Sequence, residues 1–156
     1  MKRLLLTILL SVAMIATTEA QPLRLGERIP TIDVDSSVGS DLKLVEQKYT
    51  CIVFMHSEST PSINAIREFS ALATKHSERV ALVLITAEQD GFEQEVLSSF
   101  TTNETIVAFD NNFRTFKNFA VHHIPFAVIY ETRSRKAQWF GSLSQLDERS
   151  LRNIIK

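Results

Sequence analysis

The sequence has little of several residue types on which common functions depend. Its 156 residues include one cysteine, four glycines, four prolines and one tryptophan. The single cysteine, Cys51, excludes an intrachain disulfide and a metal cluster built on cysteine. The formal net charge is −1, and the chain has no long basic or acidic run. This balance argues against nucleic acid and against an anionic membrane surface as partners.

Hydrophobic residues make up 44% of the chain and charged residues 22%, which predicts one globular domain with a sizeable core. The N-terminus has a different pattern. Two basic residues precede an apolar run over residues 4–16, and the small residue Ala20 follows. This pattern predicts a secretory signal peptide over residues 1–20 and a mature domain over residues 21–156. The run is short for a membrane span, so we expect no span after cleavage; a retained anchor is the alternative.

The clearest change of hydrophobic periodicity comes near the middle of the mature chain. Residues 51–55 form an apolar run of the kind found in buried strands. Beyond them the apolar spacing becomes that of an amphipathic helix, which we expect over about residues 60–75. Ser59 or Thr60 can cap this helix, and Pro61 suits its first turn. The sequence therefore predicts a strand, a tight loop and a helix N-terminus.

The rest of the chain alternates strands with helices. This alternation predicts βαβ units with a parallel sheet, to which a C-terminal hairpin adds antiparallel strands. Near the N-terminus, residues 31–35, a turn over 36–40 and a return over 42–44 predict a β-hairpin. We expect further strands at residues 80–86, 106–109, 126–130 and 136–141, and further helices from about Gly91, around residues 113–120 and from about Ser144.

Several short motifs, in this order and spacing, resemble those of one family. Residues 26–30 match Gly-x-x-aliphatic-Pro, residues 59–62 fall on a Cys-x-Pro-Cys motif, and residues 121–125 fall on V-x-x-I/T-P. The set resembles the thioredoxin-like superfamily, in particular the TlpA/ResA-like exported thiol-disulfide proteins. The resemblance implies an α/β fold: a three-layer α/β/α sandwich with a mixed central sheet and an N-terminal β-hairpin extension. It also implies a cis Pro125 that faces the loop, and a periplasmic or cell-envelope location.

The chain departs from this family at the residues that carry the chemistry. Ser59 and Ser62 stand where the family has its attacking and resolving cysteines, with Thr60 and Pro61 between them. Disulfide exchange needs a thiolate, whose pKa a helix N-terminus can lower from about 8.5 to roughly 3.5. A serine hydroxyl starts too high for such help and carries no two-electron couple. The sequence thus predicts a redox-inactive motif, no cofactor, and a binding protein in preference to an enzyme.

Three chemical alternatives remain open. One is a thiol-disulfide oxidoreductase, acting in cell redox homeostasis through Cys51 and a partner's thiol. Another is a metal-binding module at His56 and His123, since imidazole suits zinc or copper. The third is a hydrolase with Ser59 as nucleophile and a nearby histidine as base. No acid in the sequence is clearly placed to orient that histidine.

A binding role survives the loss of both cysteines. In the family, the residue before the cis-proline offers its backbone to an extended substrate segment. Here that residue is Ile124, and the predicted peptide-binding residues are Ser59, Ile124 and Pro125, with Thr60 beside them. The expected partner is another envelope protein or an extended polypeptide.

Overall fold

The computed structural model describes residues 22–88 and 105–156. The predicted helix from about Gly91 and the predicted signal peptide lie outside these residues. Six strands form one mixed sheet, and three helices are described alongside it. The strands are β1 (Ser36–Val38), β2 (Tyr49–Met55), β3 (Val80–Thr86), β4 (Thr105–Phe109), β5 (Phe126–Glu131) and β6 (Ala137–Ser142), and the helices are α1 (Thr60–Thr74), α2 (Arg114–Asn118) and α3 (Glu148–Ile154).

The sheet has the strand order β1-β4-β3-β2-β5-β6, which places β2 near its centre. All seven residues of β2 are buried. β2 runs parallel to β3 and antiparallel to β5, so that Cys51 lies between Leu82 and Ile129. A strand covered on both faces reads as a continuous apolar run without polar alternation, and this is the pattern that the sequence shows.

Alternate residues of β2 enter two separate hydrophobic cores. Cys51 and Val53 belong to the core that packs against α1 and α3. Ile52 and Phe54 belong to the core on the other face, which α2 and the N-terminal segment cover. Because successive side chains of a strand point to opposite faces, one strand serves both cores. The result is the predicted three-layer α/β/α sandwich with a mixed sheet.

Helix α1 begins and ends within one residue of its predicted bounds. Ser59 is its N-cap, and a proline occupies its first turn. Ile66, Phe69 and Ala73 are buried on its inner face. These positions are three or four residues apart, as one face of a helix requires.

The N-terminal extension differs from the predicted hairpin. A single strand, β1, pairs antiparallel with β4, and Leu42–Leu44 forms a 3-10 turn instead of a return strand. The preceding residues are held by distant parts of the chain: the amide of Asp33 donates to Thr115 Oγ1 at 2.8 Å, and the amide of Asp35 donates to the Phe109 carbonyl at 2.7 Å. These long-range bonds replace the local pairing that alternation suggested.

At the C-terminus, β5 and β6 form the predicted hairpin. The last helix begins later than Ser144 suggested. Ser144 lies in a 3-10 turn, and Asp147 is the N-cap of α3, accepting from the Ser150 amide at 2.7 Å. Of the helices in residues 22–88 and 105–156, none is long and apolar enough to cross a membrane.

Candidate functional site

The segments that carry the predicted site residues lie at one edge of the sheet, where β2 and β3 end and β5 begins. Phe54 of β2 pairs with Phe126 of β5, so Pro125 follows at the level of Met55. Met55 also pairs with Thr86, the last residue of β3. This edge, where β2 and β3 end, therefore holds the loop before α1, the residues after β3 and the segment before β5. We call it the site edge; α/β folds place their binding sites at the carboxyl ends of their strands.

Ser59 and Ser62 form a hydrogen-bonded pair at the start of α1. The Ser62 hydroxyl donates to Ser59 Oγ at 2.9 Å, and the Ser62 amide donates to the same oxygen at 3.3 Å. Ser62 is fully buried and Ser59 is half-buried. Ser59 Oγ thus accepts a hydrogen bond from an amide of the first helical turn that would otherwise have no partner, which is the function of an N-cap.

The segment before β5 presents an unpaired backbone. The Ile124–Pro125 peptide bond is cis, as the resemblance implied. Ile124 is half-buried, and Pro125 is buried. Within the described residues, no hydrogen bond is formed by the backbone N–H or C=O groups of His122, His123 or Ile124. Three successive peptide units are therefore available to an external partner.

Glu88 is a site residue that the sequence analysis missed. Its carboxylate accepts from the Ser57 amide at 2.8 Å, from the Thr86 hydroxyl at 2.6 Å, and from the Ser57 hydroxyl. Only 12% of its side chain is exposed. Glu88 lies two residues beyond β3. Because the carboxyl ends of parallel strands lie at the same edge of a sheet, the sequence could have predicted a polar residue of the site at this position. Glu88 ties the loop after β2 to the end of β3.

The structure places an acid beside His56 without assembling a hydrolase triad. Glu88 Oε1 lies 3.7 Å from His56 Nδ1. The same Nδ1, however, accepts from the Glu58 amide at 3.2 Å, and the Ser59 hydroxyl oxygen is bonded to Ser62. A triad needs the nucleophile hydrogen-bonded to the base, and among the described residues no such bond joins Ser59 to His56.

The two predicted metal ligands contact different groups. His56 lies beside Glu88, whereas the exposed His123 packs its ring edge against Phe126, with centroids 5.6 Å apart. Within residues 22–88 and 105–156, no three His, Cys, Asp or Glu side chains form a group able to hold a metal ion. The geometry gives no support to the metal-binding alternative.

Cys51 lies inside the sheet, with 0% of its surface exposed. Burial raises the pKa of its thiol far above the ordinary value. A thiol is nucleophilic only as an accessible thiolate. It is also eight positions before Ser59, toward the start of β2 rather than at the site edge. The alternative of disulfide exchange through Cys51 is therefore disfavoured.

Asp110 completes the same edge at the end of β4. It is fully buried, and its two carboxylate oxygens accept from the amides of Arg114 and Phe116 at 2.8 and 2.9 Å. Burial raises the pKa of Asp110, while these backbone hydrogen bonds oppose the rise. The residue fixes the start of α2 and takes no visible part in the loop around Ser59.

Comparison with known proteins assigns the fold. No protein-family model matches the sequence, and no curated protein gives a significant match. The solved structures do match. A thioredoxin-like protein in its oxidised form superposes with a TM-score of 0.71 at 13% identity, covering 85% of this chain and 97% of that one.

Two further neighbours are StoA from Bacillus subtilis and a secreted Mycobacterium tuberculosis disulfide oxidoreductase homologous to E. coli DsbE. For StoA the TM-score is 0.61 at 14% identity, covering 83% of this chain and 100% of that one. For the Mycobacterium protein it is 0.55 at 16% identity, covering 69% and 80%. The chain has the thioredoxin-like α/β fold and resembles thiol-disulfide oxidoreductases in architecture.

Proposed function

We propose that this chain is an exported thioredoxin-like domain that binds an extended polypeptide and performs no thiol-disulfide exchange. The observation that carries the proposal is the site edge itself. An unpaired backbone over residues 122–124 lies at the same edge of the sheet as a helix start whose two serines, Ser59 and Ser62, are hydrogen-bonded to each other.

The residues at positions 59 and 62 lack the chemistry that disulfide exchange requires. An exchange cycle needs one thiolate to attack a disulfide and a second thiol to resolve the mixed disulfide. Ser59 and Ser62 supply no sulfur, and Ser59 is engaged as an N-cap. Cys51 supplies the chain's one sulfhydryl, but burial keeps it from a substrate.

The unpaired backbone over residues 122–124 supports peptide binding. An extended segment laid beside residues 122–124 gains main-chain hydrogen bonds in the way that an added strand does. Thr60 is exposed at the start of α1, and Ile124 is half-buried with an apolar side chain. Together they offer one polar and one apolar contact to such a segment.

The exchange step is tested with the purified protein in an insulin-reduction assay with dithiothreitol as reductant. We expect the rate of the uncatalysed control. A rate comparable to that of a dithiol thioredoxin would refute the proposal. Oxidation state is read in parallel by mass spectrometry under non-reducing conditions, where a mixed disulfide at Cys51 would support the oxidoreductase alternative.

Peptide binding is tested with unfolded, carboxymethylated α-lactalbumin as the probe. Thr60→Trp places a bulky side chain at the site without removing the N-cap, and Thr74→Trp is the matched control at the far, exposed end of α1. We expect Thr60→Trp to weaken binding at least tenfold and Thr74→Trp to leave it unchanged. Equal binding by both variants, or no binding by the unmodified protein, would contradict this site.

Export is proposed from the basic and apolar pattern of residues 1–20. The full chain is expressed in a Gram-negative host, and the cells are fractionated. We expect the protein in the periplasm, with the mass of a chain that begins at Gln21. Recovery of the uncleaved chain in the membrane fraction would instead indicate a retained anchor. Recovery of the uncleaved chain in the cytoplasm would contradict export.

A further inference from the structure

A second potential binding site lies away from the edge that carries Ser59. An open cavity of about 600 Å³ is lined by the N-terminal segment, the end of β5 and the turn that follows it. Its volume is within the roughly 300–1,000 Å³ range of small-molecule sites. Tyr130, on its wall, follows Pro125 by five residues of extended chain, which is about 17 Å along β5. The cavity is thus distinct from the proposed peptide site.

One part of the cavity wall is apolar. Ile32, Val34, Leu42 and Val45 line it, each half-buried and packed against the core on the α2 side of the sheet. These side chains come from residues 32–45, the segment that was predicted as the N-terminal hairpin. The 3-10 turn at Leu42–Leu44 carries Leu42, which packs against this core and lines the cavity.

The charged side chains of the cavity wall differ in whether they have a partner of opposite charge or a hydrogen-bond donor nearby. Asp33 Oδ2 lies 3.4 Å from Nε of Arg114, and Asp41 Oδ1 accepts from the Lys43 amide at 2.9 Å. Lys43 and Arg135, the two cations of the wall, form no ion pair with a carboxylate in the described part of the chain.

Arg135 contacts the Pro30 carbonyl through Nη2 at 3.1 Å and forms no ion pair with a described residue, nor does Lys43. Arg135 is half-buried, where a cation attracts an anion more strongly than it does in bulk water. Arg135 is therefore a half-buried positive charge that no described carboxylate neutralises, and the exposed Asp41 adds a negative charge at the rim.

We propose that this cavity binds a small organic anion with an apolar body, such as an aryl or short-chain alkyl carboxylate. The apolar wall accepts the body of the ligand. Arg135 donates to the carboxylate through the guanidinium hydrogens that Pro30 leaves unused, and Lys43 adds a second positive charge at the rim. A neutral ligand of the same shape gains the apolar contact alone.

The test compares sodium 2-naphthoate with 2-naphthylmethanol, which has the same rings without the charge, by calorimetric titration of the purified protein. We expect the carboxylate to bind about tenfold more tightly than the alcohol, a difference of the size that one desolvated ion pair gives. Lys43 is exposed, so Lys43→Gln leaves the fold intact and is expected to weaken naphthoate binding about threefold. Arg135→Gln is expected to weaken it more.

Two controls separate the cavity from general charge attraction. Lys117→Gln removes one exposed positive charge outside the cavity and is expected to change neither affinity. Ser37→Trp adds bulk at an exposed position of the wall, keeps every charge, and is expected to abolish binding of both compounds. The proposal is overturned if the two compounds bind equally, if neither binds, or if Ser37→Trp binds naphthoate as well as the unmodified protein does.

Discussion

The hydroxyl of Ser62 donates to the hydroxyl oxygen of Ser59, with the two atoms 2.9 Å apart. The pair lies at a helix N-terminus, where the thioredoxin-like architecture can activate a thiol. In this chain the two hydroxyls serve the helix itself. Ser59 caps α1. Ser62 is fully buried, and its hydroxyl is hydrogen-bonded to Ser59.

Removing the cap tests this structural role of Ser59. Ser59→Ala deletes the acceptor for the Ser62 amide and for the Ser62 hydroxyl, so we expect the free energy of unfolding to fall by about 1–2 kcal/mol. Ser59→Asp keeps a capping acceptor and is expected to retain most of the stability. Urea denaturation followed by circular dichroism measures both. An alanine variant as stable as the unmodified protein would show that the cap contributes nothing.

Introducing two cysteines tests whether the scaffold supports disulfide exchange. The double variant Ser59→Cys with Ser62→Cys is expected to form a disulfide and to catalyse insulin reduction at least tenfold above background, because the helix N-terminus lowers the thiol pKa. Ser62→Cys alone is the matched control and lacks the attacking thiol. A double variant that forms the disulfide but stays inactive would show that the residues around this helix start do not support exchange.

Glu88 is expected to hold the loop after β2 in place. Glu88→Gln replaces an anionic acceptor of three hydrogen bonds with a neutral amide, so we expect a loss of about 1–3 kcal/mol in the free energy of unfolding. Amide exchange at Ser57 should become faster. Glu58→Gln is the matched control, because Glu58 is exposed and nearby; its effect should stay within about 0.5 kcal/mol. Equal effects of the two variants would remove the special role of Glu88.

Asp110 predicts a pH dependence of stability. Its folded pKa is raised by burial, so it binds a proton more tightly in the folded state than in the unfolded state, where the pKa is about 3.9. Its contribution is fully present below that value and is lost as pH rises through the folded pKa.

The measurement compares the unmodified protein with Asp110→Asn by urea denaturation from pH 3.5 to 7. The difference in unfolding free energy, unmodified minus variant, should decrease as pH rises, because the other carboxylates are common to both proteins. A difference that stays constant, or that increases with pH, would contradict the raised pKa.

Cys51 is expected to be chemically silent in the folded protein. With a fully buried side chain, it should not react with Ellman's reagent at pH 8 within an hour, whereas the protein in 6 M guanidinium chloride should release one thiol equivalent. Rapid labelling of the folded protein would reopen the oxidoreductase alternative. Cys51→Ala, which leaves no thiol, is the blank for both conditions.

Local pattern predicted much of this fold. The apolar run of β2, the helical spacing of α1 and the position of Pro61 gave the strand–loop–helix unit almost residue by residue. The β5–β6 hairpin was found in the same way. In each case the signal lies within about 15 neighbouring residues, because side-chain periodicity reports which face of an element is buried.

The hairpin predicted over residues 31–44 was wrong, because the hydrogen-bond partners of residues 31–35 lie far along the chain. Residues 31–35 alternate as a strand does, yet their hydrogen bonds go to Thr115 and to the Phe109 carbonyl, over 70 positions away. Alternation shows that a segment is extended, but it does not identify the partner. The edge that was free to pair lay on β4.

The sequence by itself determined the chemistry that is available: one thiol, serines at positions 59 and 62, and a proline at position 125. Only the tertiary structure decided where those groups lie. It buried Cys51 inside the sheet, bonded Ser62 to Ser59, and brought Glu88 to Ser57 across 31 positions of the chain. The physical reason is that side-chain chemistry belongs to each residue alone, whereas convergence depends on the register of paired strands, to which every strand of the sheet contributes.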